Sequence, residues 1–186
     1  MTASHEPGRQ KVTETVAPRL HGVLVKVAGI GVLLTGSSGI GKSECALELI
    51  EKGNQLVADD VVEIVDHGDS VVGKAPALTF ELLEIRGLGI INVRQLFGEG
   101  AVKDEATIDL CIELSRDAEV DRLNRAIGEC RIAEHVIPKF TLPVNSGRNL
   151  STLVETAVRL FQLRDHGAGA AELLIQRHQD LLDSLS

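Results

Sequence analysis

Aromatic side chains are almost absent from this sequence. Among 186 residues there is no Trp and no Tyr, and four Phe bring the aromatic share to only 2%. Stacking of bases or sugars on aromatic rings therefore has almost no platform. Positive charge is also short, because 19 Lys and Arg stand against 27 Asp and Glu and give a net charge of −8. We therefore expect no nucleic-acid partner.

Cysteine is scarce, and its spacing argues against two kinds of cross-link. Cys45, Cys111 and Cys130 form no Cys-x-x-Cys pair and leave an odd number, so neither a disulfide framework nor a four-thiolate zinc site is expected. No segment is apolar for long enough to cross a bilayer, and the polar first residues lack the apolar stretch of a signal peptide. These features predict a cytoplasmic protein without a membrane partner.

The residues that are present fit one globular domain. Apolar residues make up 44% of the chain and charged residues 25%, which is close to the average of folded proteins. A chain of this length can bury one sizeable core. We interpret residues 1–17 as a polar lead-in and residues 18–186 as the domain.

The first half of the sequence alternates between strand and helix patterns. Residues 21–36 predict two short strands joined by a tight turn, and residues 43–53 predict a short helix that ends at a glycine. Residues 56–65 are rich in β-formers and contain an acidic pair, and residues 68–76 predict a turn and a short strand. This order predicts an α/β fold with a mixed sheet and flanking helices.

The second half is less regular. Residues 79–87 predict a short helix capped by their first residue, and residues 86–93 a glycine-punctuated loop. Residues 106–114 alternate like a half-exposed strand, and the prolines within residues 135–144 favour an extended chain. Two C-terminal helices are predicted, over residues 149–164 and 170–185.

The strongest motif is a full match to the phosphate-loop pattern GxxxxGK[ST]. It consists of Gly36, Ser37, Ser38, Gly39, Ile40, Gly41, Lys42 and Ser43. Because a predicted strand precedes it and a predicted helix follows it, backbone N–H groups and a helix N-terminus would converge on polyphosphate oxygens. Lys42 would reach the β- and γ-phosphates, and Ser43 Oγ would ligate Mg²⁺. The alternative is a glycine-rich turn with a solvated lysine.

Two charged pairs follow the loop. Asp59 and Asp60 end an apolar strand, where a carboxylate can hold Mg²⁺ or accept a nucleophile's proton. Adjacent strand residues point to opposite faces, so at most one is expected to face the phosphate unless the strand has ended; two solvated acids in a turn are the alternative. Glu84 and Arg86 would share one side of an extended stretch, as ligands for metal and phosphate or as an exposed ion pair.

Four further residues are ambiguous by themselves. His21 precedes a β segment, where an exposed edge position is favoured over a base. Arg122, Arg125 and Arg148 are typical of surface arginines, although any of them could stabilise the charge of a transition state at a phosphate. The spacing of these arginines does not show which of them would reach a phosphate.

Three runs of residues together resemble the catalytic domain of the HPr kinase/phosphorylase family. They are residues 21–64, 82–102 and 142–150, and the likeness extends from Pro18 to about Leu163. The resemblance implies a nucleotide core similar to that of phosphoenolpyruvate carboxykinase. It also implies Mg²⁺-dependent phosphorylation of a serine of the phosphocarrier HPr by ATP or pyrophosphate, the reverse phosphorolysis by inorganic phosphate, and a homohexamer.

The same resemblance implies roles for individual residues. His21, Lys42, Asp60 and Arg122 align with catalytic positions, with Asp60 as proton acceptor of the kinase reaction and proton donor of the reverse reaction. Ser43 and Glu84 align with the magnesium ligands. The segment implied in both reactions comprises Leu83, Glu84, Ile85, Arg86, Gly87, Leu88, Gly89, Ile90, Ile91 and Asn92. The segment tied to dephosphorylation comprises Pro143, Val144, Asn145, Ser146, Gly147 and Arg148.

Family members commonly carry an N-terminal domain before the catalytic domain. The resemblance predicts that this chain is the catalytic domain without that N-terminal domain. Some short relatives act on nitrogen-related rather than sugar-related phosphocarriers, so the substrate protein could be of either kind. Two other classes also stay open: a phosphate-loop enzyme for a small molecule or a nucleotide hydrolase, and a non-catalytic nucleotide sensor. A sensor has no chemical need for Asp60, Glu84 and Arg122 together.

Overall fold

The computed structural model describes residues 18–117, 127–145, 149–164 and 176–181. The elements of the first half are β1 (Arg19–His21), β2 (Val23–Val27), β3 (Ile30–Gly36), α1 (Lys42–Glu51), β4 (Gln55–Ala58), β5 (Val61–Asp66) and β6 (Val71–Lys74). The second half contains β7 (Leu82–Ile85), β8 (Gly89–Asn92), α2 (Val93–Phe97), a 3-10 turn (Glu99–Ala101), β9 (Glu105–Thr107), β10 (Leu110–Ser115), β11 (Gly128–Ile132), β12 (His135–Pro143) and α3 (Leu150–Leu163). Residues 176–181 are helical.

A six-stranded mixed sheet forms the centre, with strand order β11-β12-β10-β3-β2-β4. Its middle strands β3, β10 and β12 are parallel, whereas β2 and β11 run antiparallel to their neighbours. In the register of the sheet, Leu114 pairs with Gly36 and Ser115 pairs with Pro143. The carboxyl ends of the three parallel strands therefore meet at one edge, which is where ligands bind in open α/β sheets.

Alternating residues of the central strands pack into two different hydrophobic cores, one on each face of the sheet. Val32 and Leu34 face a cluster that includes residues of α1 and α3, while Leu33 between them faces a second cluster with Val62 and Ile64 of β5. The second cluster lies under a four-stranded antiparallel sheet of order β1-β5-β6-β9. The molecule thus has three layers, with helices on one face of the central sheet and a second sheet on the other.

Several predicted elements agree with the structure. The strand pair of residues 21–36 appears as the antiparallel β2 and β3, and the helix of residues 43–53 as α1. The extended stretch of residues 135–144 is β12. The helix of residues 149–164 is α3, capped by Asn149, whose Oδ1 accepts the Thr152 N–H. Most of the helix predicted over residues 170–185 lies outside the described residues.

The helix predicted over residues 79–87 and the loop predicted over residues 86–93 are wrong. Both segments form the β7–β8 hairpin, with Leu83 opposite Ile91. Leu83 and Ile85 are buried and Glu84 between them is exposed, so burial alternates with the period of a strand. Burial in the helix-side core overrides the helix propensity of the leucines.

The β structure predicted over residues 106–114 is confirmed, but the prediction of one half-exposed strand is wrong. The segment is split between β9 of the four-stranded sheet and β10 of the central sheet. Leu110, Cys111 and Ile112 are all completely buried, because β10 lies in the middle of a sheet that is covered on both faces. No helix among the described parts of the chain is long and apolar enough to span a membrane.

Candidate active site

The phosphate-loop segment, residues 36–43, joins the end of β3 to the start of α1. Gly36, Gly39 and Gly41 all have positive φ, at 133°, 71° and 106°, which explains why glycine stands at these positions. Within the described residues no side chain caps the first turn of α1, so its free N–H groups face the loop. The sequence motif therefore adopts a conformation suited to an anion at a helix N-terminus.

Lys42 is buried and its ammonium group is held against the loop. Lys42 Nζ donates hydrogen bonds to the carbonyl oxygens of Gly36 at 3.0 Å and Ser37 at 3.2 Å. Only 7% of Lys42 is exposed. The Lys42 ammonium group therefore lies on the concave side of the loop, where it could also donate hydrogen bonds to the phosphate oxygens of a ligand.

Asp59 is buried beneath the loop and uses both carboxylate oxygens. Its Oδ1 accepts the Ser43 hydroxyl at 2.9 Å, and its Oδ2 accepts the Glu84 backbone N–H at 3.0 Å. Burial raises the pKa of the Asp59 carboxyl, and the hydrogen bonds from Glu84 and Ser43 oppose this effect. The alternative of two solvated acids is therefore wrong for Asp59.

Asp60 turns in a different direction and lies beside His21. Its φ of 65° is in the left-handed region, and its carbonyl accepts the Gly22 N–H at 3.1 Å. The Asp60 carboxylate is 69% exposed, and its Oδ1 is 3.1 Å from His21 Nδ1. Because β4 ends at Ala58, the strand has ended before the acidic pair, and both carboxylates line the same cleft.

Glu84 and Arg86 reach this cleft from the β7–β8 hairpin. The Arg86 guanidinium lies against the phosphate-loop segment, because a Cβ built on Gly39 would be only 2.9 Å from Arg86 Nη2. The ion pairs found among the described residues do not join Glu84 to Arg86. Both side chains are thus available to a ligand in the cleft.

The cleft brings together most of the residues predicted to be catalytic, nucleotide-binding or metal-binding. Its lining includes His21, Ser38, Gly39, Gly41, Lys42, Ser43, Asp60, Glu84 and Arg86, together with Val23, Glu44 and Asp59. Positive charge comes from Lys42 and Arg86, and negative charge comes from the acidic side chains that line the same cleft, namely Glu44, Asp59, Asp60 and Glu84. This arrangement suits a phosphorylated ligand with a hard cation.

Other predicted residues lie elsewhere or outside the described residues. In the segment 83–92, Leu83 and Ile85 belong to the core, whereas Leu88 and Ile90 are exposed on the hairpin. Residues 143–145 end β12 at the same sheet edge as the loop. Arg122, Arg125, Ser146, Gly147 and Arg148 lie outside the described residues.

The sequence pattern alone predicts no role for Asp59 that differs from that of its neighbour Asp60. The signal that could have singled it out is its place directly after the buried run Leu56–Ala58. A carboxylate that continues a buried strand needs hydrogen-bond donors, and these come from Ser43 and Glu84.

Comparison with known proteins shows to which family the chain is similar. A family model described as HPr Serine kinase C-terminal domain matches residues 12–178. The HPr kinase/phosphorylase of Halalkalibacterium halodurans is 49% identical over 168 residues, which are 88% of this chain and 54% of that protein. That of Geobacillus kaustophilus is 48% identical over 177 residues, which are 93% of this chain and 56% of that protein.

A solved structure is similar as well. The Hpr(Ser) kinase/phosphatase from Coxiella burnetii has 36% sequence identity and a TM-score of 0.76, covering 81% of this chain and 93% of that chain. The chain spans about half the length of the curated relatives it matches. On these grounds, the chain belongs to the family of HPr serine kinase C-terminal domains.

Proposed function

We propose that this chain is a Mg²⁺-dependent protein-serine kinase and phosphorylase that acts on HPr or a related phosphocarrier. It transfers phosphate from ATP or pyrophosphate to a serine, and in reverse uses inorganic phosphate to release the serine and form pyrophosphate. The observation that carries the proposal is the cleft that gathers Lys42, Ser43, Asp60 and Glu84 in a member of this family.

The exposed carboxylate of Asp60 serves as the proton acceptor. A serine hydroxyl is a weak nucleophile, so transfer of its proton to Asp60 assists as its oxygen forms a bond to the terminal phosphorus of the donor. The bond from that phosphorus to the bridging oxygen breaks at the same time, and the rest of the donor leaves. His21 Nδ1, 3.1 Å from Asp60 Oδ1, orients this carboxylate toward the cleft.

The reverse reaction uses the same groups in opposite order. An oxygen of inorganic phosphate attacks the phosphorus of phosphoserine, and protonated Asp60 returns its proton to the departing serine oxygen. In both directions Lys42 stabilises the negative charge on the transferred group. We retain Arg122 as a further proposed catalytic residue.

The residues at the loop fit Mg²⁺. Ser43 Oγ and the Glu84 carboxylate are hard oxygen donors that line one cleft, and we propose them as the protein's ligands. Among the described residues, no group of three or more His, Cys, Asp or Glu side chains is arranged to hold a metal ion by itself. This suits Mg²⁺, which usually takes one or two protein ligands and substrate phosphates. When bound, the ion neutralises charge on the phosphate oxygens.

Apolar exposure supports the proposed homohexamer and protein substrate. Leu88, Ile90 and Leu96 are 73%, 70% and 61% exposed on or next to the β7–β8 hairpin. Exposed apolar side chains of this kind are typical of surfaces that bind proteins. The similarity of the nucleotide core to phosphoenolpyruvate carboxykinase is part of the same proposal.

Transfer of labelled phosphate to purified HPr tests the function. We expect labelled HPr with ATP or pyrophosphate as donor, and none with HPr in which the target serine is Ala. Asp60→Ala should lower transfer by about 100-fold or more while nucleotide affinity is kept, since it removes only the proton acceptor.

Asp69→Ala is the matched control, because Asp69 is an exposed acid of the β5–β6 turn and does not line the cleft. Absence of labelled protein with both donors, when HPr and a nitrogen-related phosphocarrier are each supplied as the substrate, refutes the proposal. ATP consumption without labelled protein identifies a nucleotide hydrolase instead.

A further inference from the structure

The β7–β8 hairpin carries Arg86 to the phosphate-loop segment but belongs to neither of the two larger sheets. Its strands have four residues each, and an isolated two-stranded hairpin is marginally stable by itself. β7 is fixed by Leu83 and Ile85, which are buried in the helix-side core. β8 contains no fully buried residue and contacts that core through the half-buried Ile91. The position of β8 therefore depends on what holds its end.

Glu81 holds the end of β8 through three contacts. Its backbone carbonyl accepts the Val93 N–H at 2.9 Å, and its Oε2 accepts a hydrogen bond from Asn92 Nδ2 at 3.4 Å. Its Oε1 forms an ion pair with Arg94 Nε at 2.7 Å. One residue just before β7 thus contacts three consecutive residues at the point where β8 becomes α2.

The ion pair between Glu81 and Arg94 compensates for a buried positive charge. Arg94 Nε is buried, and no hydrogen bond of regular angle reaches it from the described residues. The Glu81 side chain is only 19% exposed, whereas the other acid near Arg94, Glu99, is 89% exposed and lies 3.9 Å from Nη1. A buried charge that loses its partner is strongly unfavourable, so this contact resists displacement.

The backbone of Glu81 adopts a conformation that favours glycine. Its φ is +68°, in the left-handed region that is unfavourable for a residue with a Cβ. Such strain persists where the surroundings determine it, and strained residues cluster at functional sites. Glycine would relieve the strain but would lack the carboxylate that contacts Asn92 and Arg94. The contacts of this carboxylate therefore offset the strain of the backbone.

The hairpin transmits the position of its end to its tip. Arg86 follows Glu81 by five residues, which corresponds to about 16 Å of extended chain. A tilt of about 5° at Glu81 would therefore move Arg86 by about 1 Å, and a misplacement of this size impairs a site. Because Arg86 Nη2 would lie 2.9 Å from a Cβ built on Gly39, the guanidinium has little room for such a shift.

We propose that Glu81 is a positioning residue, which fixes the β7–β8 hairpin through Asn92 and Arg94 and so places Arg86 at the phosphate-loop segment. The inference rests on the proposed function, because it takes this segment as the binding site of a phosphorylated donor. It deepens that function by adding two residues, Glu81 and Arg94, that do not line the cleft.

Glu81→Gln tests the ion pair, because it keeps the shape of the side chain and removes its charge. We expect the affinity for ADP, measured by calorimetry at saturating Mg²⁺, to fall about 3- to 10-fold as Arg86 loses a charge-assisted contact to the phosphates. In an Arg86→Met background, the same substitution should change ADP affinity by less than about twofold, since Glu81 acts through Arg86. General damage to the fold would lower the affinity by the same factor in both backgrounds.

Glu155→Gln is the matched control for the ion pair. Glu155 Oε2 is 3.0 Å from Lys52 Nζ, and its side chain is 25% exposed, so a comparable ion pair is lost away from the cleft. We expect this variant to bind ADP like the parent. Glu81→Gly, which removes the carboxylate and relieves the strain, carries the test if Glu81→Gln does not fold. Its control is Ala133→Gly, because Ala133 also has a positive φ, of 51°, and does not line the cleft.

Three results overturn the inference. They are unchanged ADP affinity in Glu81→Gln, equal losses of affinity in the parent and Arg86→Met backgrounds, and an Arg86→Met variant that binds ADP like the parent. Because no phosphocarrier is present in these titrations, failure of phosphate transfer to HPr refutes the proposed function without bearing on them.

Discussion

The guanidinium of Arg86 lies against Gly39, and this contact leads to a prediction. Gly39→Ala would place a Cβ 2.9 Å from Arg86 Nη2, at a residue whose φ is +71°. We expect the arginine to be displaced from the phosphate-loop segment and ADP affinity to fall about tenfold, the loss of one charge-assisted contact. An alanine in this left-handed conformation should also lower the free energy of unfolding by about 1–2 kcal/mol. Calorimetry and urea unfolding measure the two effects.

Gly53→Ala separates strain from displacement. Gly53 also has a positive φ, of +91°, but a Cβ there would meet nothing within 4 Å. We expect a comparable loss of stability and unchanged ADP affinity. If both variants bind ADP equally well, the approach of Arg86 to Gly39 has no part in binding.

Single residues also mark the limit of what the sequence predicts. The phosphate-loop motif could be recognised because its glycines, lysine and serine are contiguous. The contrast between Asp59 and Asp60 could not, because it depends on Ser43 and on a backbone N–H of Glu84, 25 residues away. The exposed side chain of Asp60 beside His21 likewise depends on pairing of β1 with β5.

At the scale of elements, α1 and α3 could be predicted and the β7–β8 hairpin could not. The helices have amphipathic spacing and clear end signals, which are local. In the hairpin, four-residue strands are too short to show their period, and Gly87 and Gly89 are equally typical of a loop. Packing of Leu83 and Ile85 into the core decides the structure.

The contact between α1 and α3 gives a prediction for these elements. Lys52 Nζ, after the end of α1, donates to Ser151 Oγ at 2.8 Å and to Glu155 Oε2 at 3.0 Å on α3. Ser151 is completely buried, so its hydroxyl has lost water as a partner. We expect Lys52→Met to lower the free energy of unfolding by roughly 0.5–1.5 kcal/mol in urea titrations.

Lys103→Met is the control for this variant, because Lys103 is exposed and belongs to neither helix. Its free energy of unfolding should stay within about 0.5 kcal/mol of the parent. An equal change in both variants shows that loss of a positive charge, rather than the α1–α3 contact, is responsible.

At the scale of the whole molecule, the sequence predicts the α/β class but not the layer arrangement. Flanking helices were expected, whereas one face of the central sheet is covered by a second sheet. Its edge strands β1 and β9 have only three residues each, and both pair with a β5–β6 hairpin that is distant from them in the sequence. Pairing over such separations leaves little local pattern.

The two sheets are joined at the surface by Asp66 of β5 and His135 of β12, 2.9 Å apart. The hydrogen bond from His135, with the Gly68 N–H, lowers the pKa of Asp66 below its usual 3.8. Since the folded state binds this proton more weakly than the unfolded chain, the stabilisation is complete above about pH 4 and is lost as the pH falls through the lowered pKa. Asp66→Asn should therefore unfold at lower urea than the parent at pH 7, and the difference between the two midpoints should shrink steadily as the pH falls below about 4. Asp69→Asn, in the same turn, should match the parent at every pH, and an Asp66→Asn difference that does not shrink on acidification contradicts the electrostatic origin.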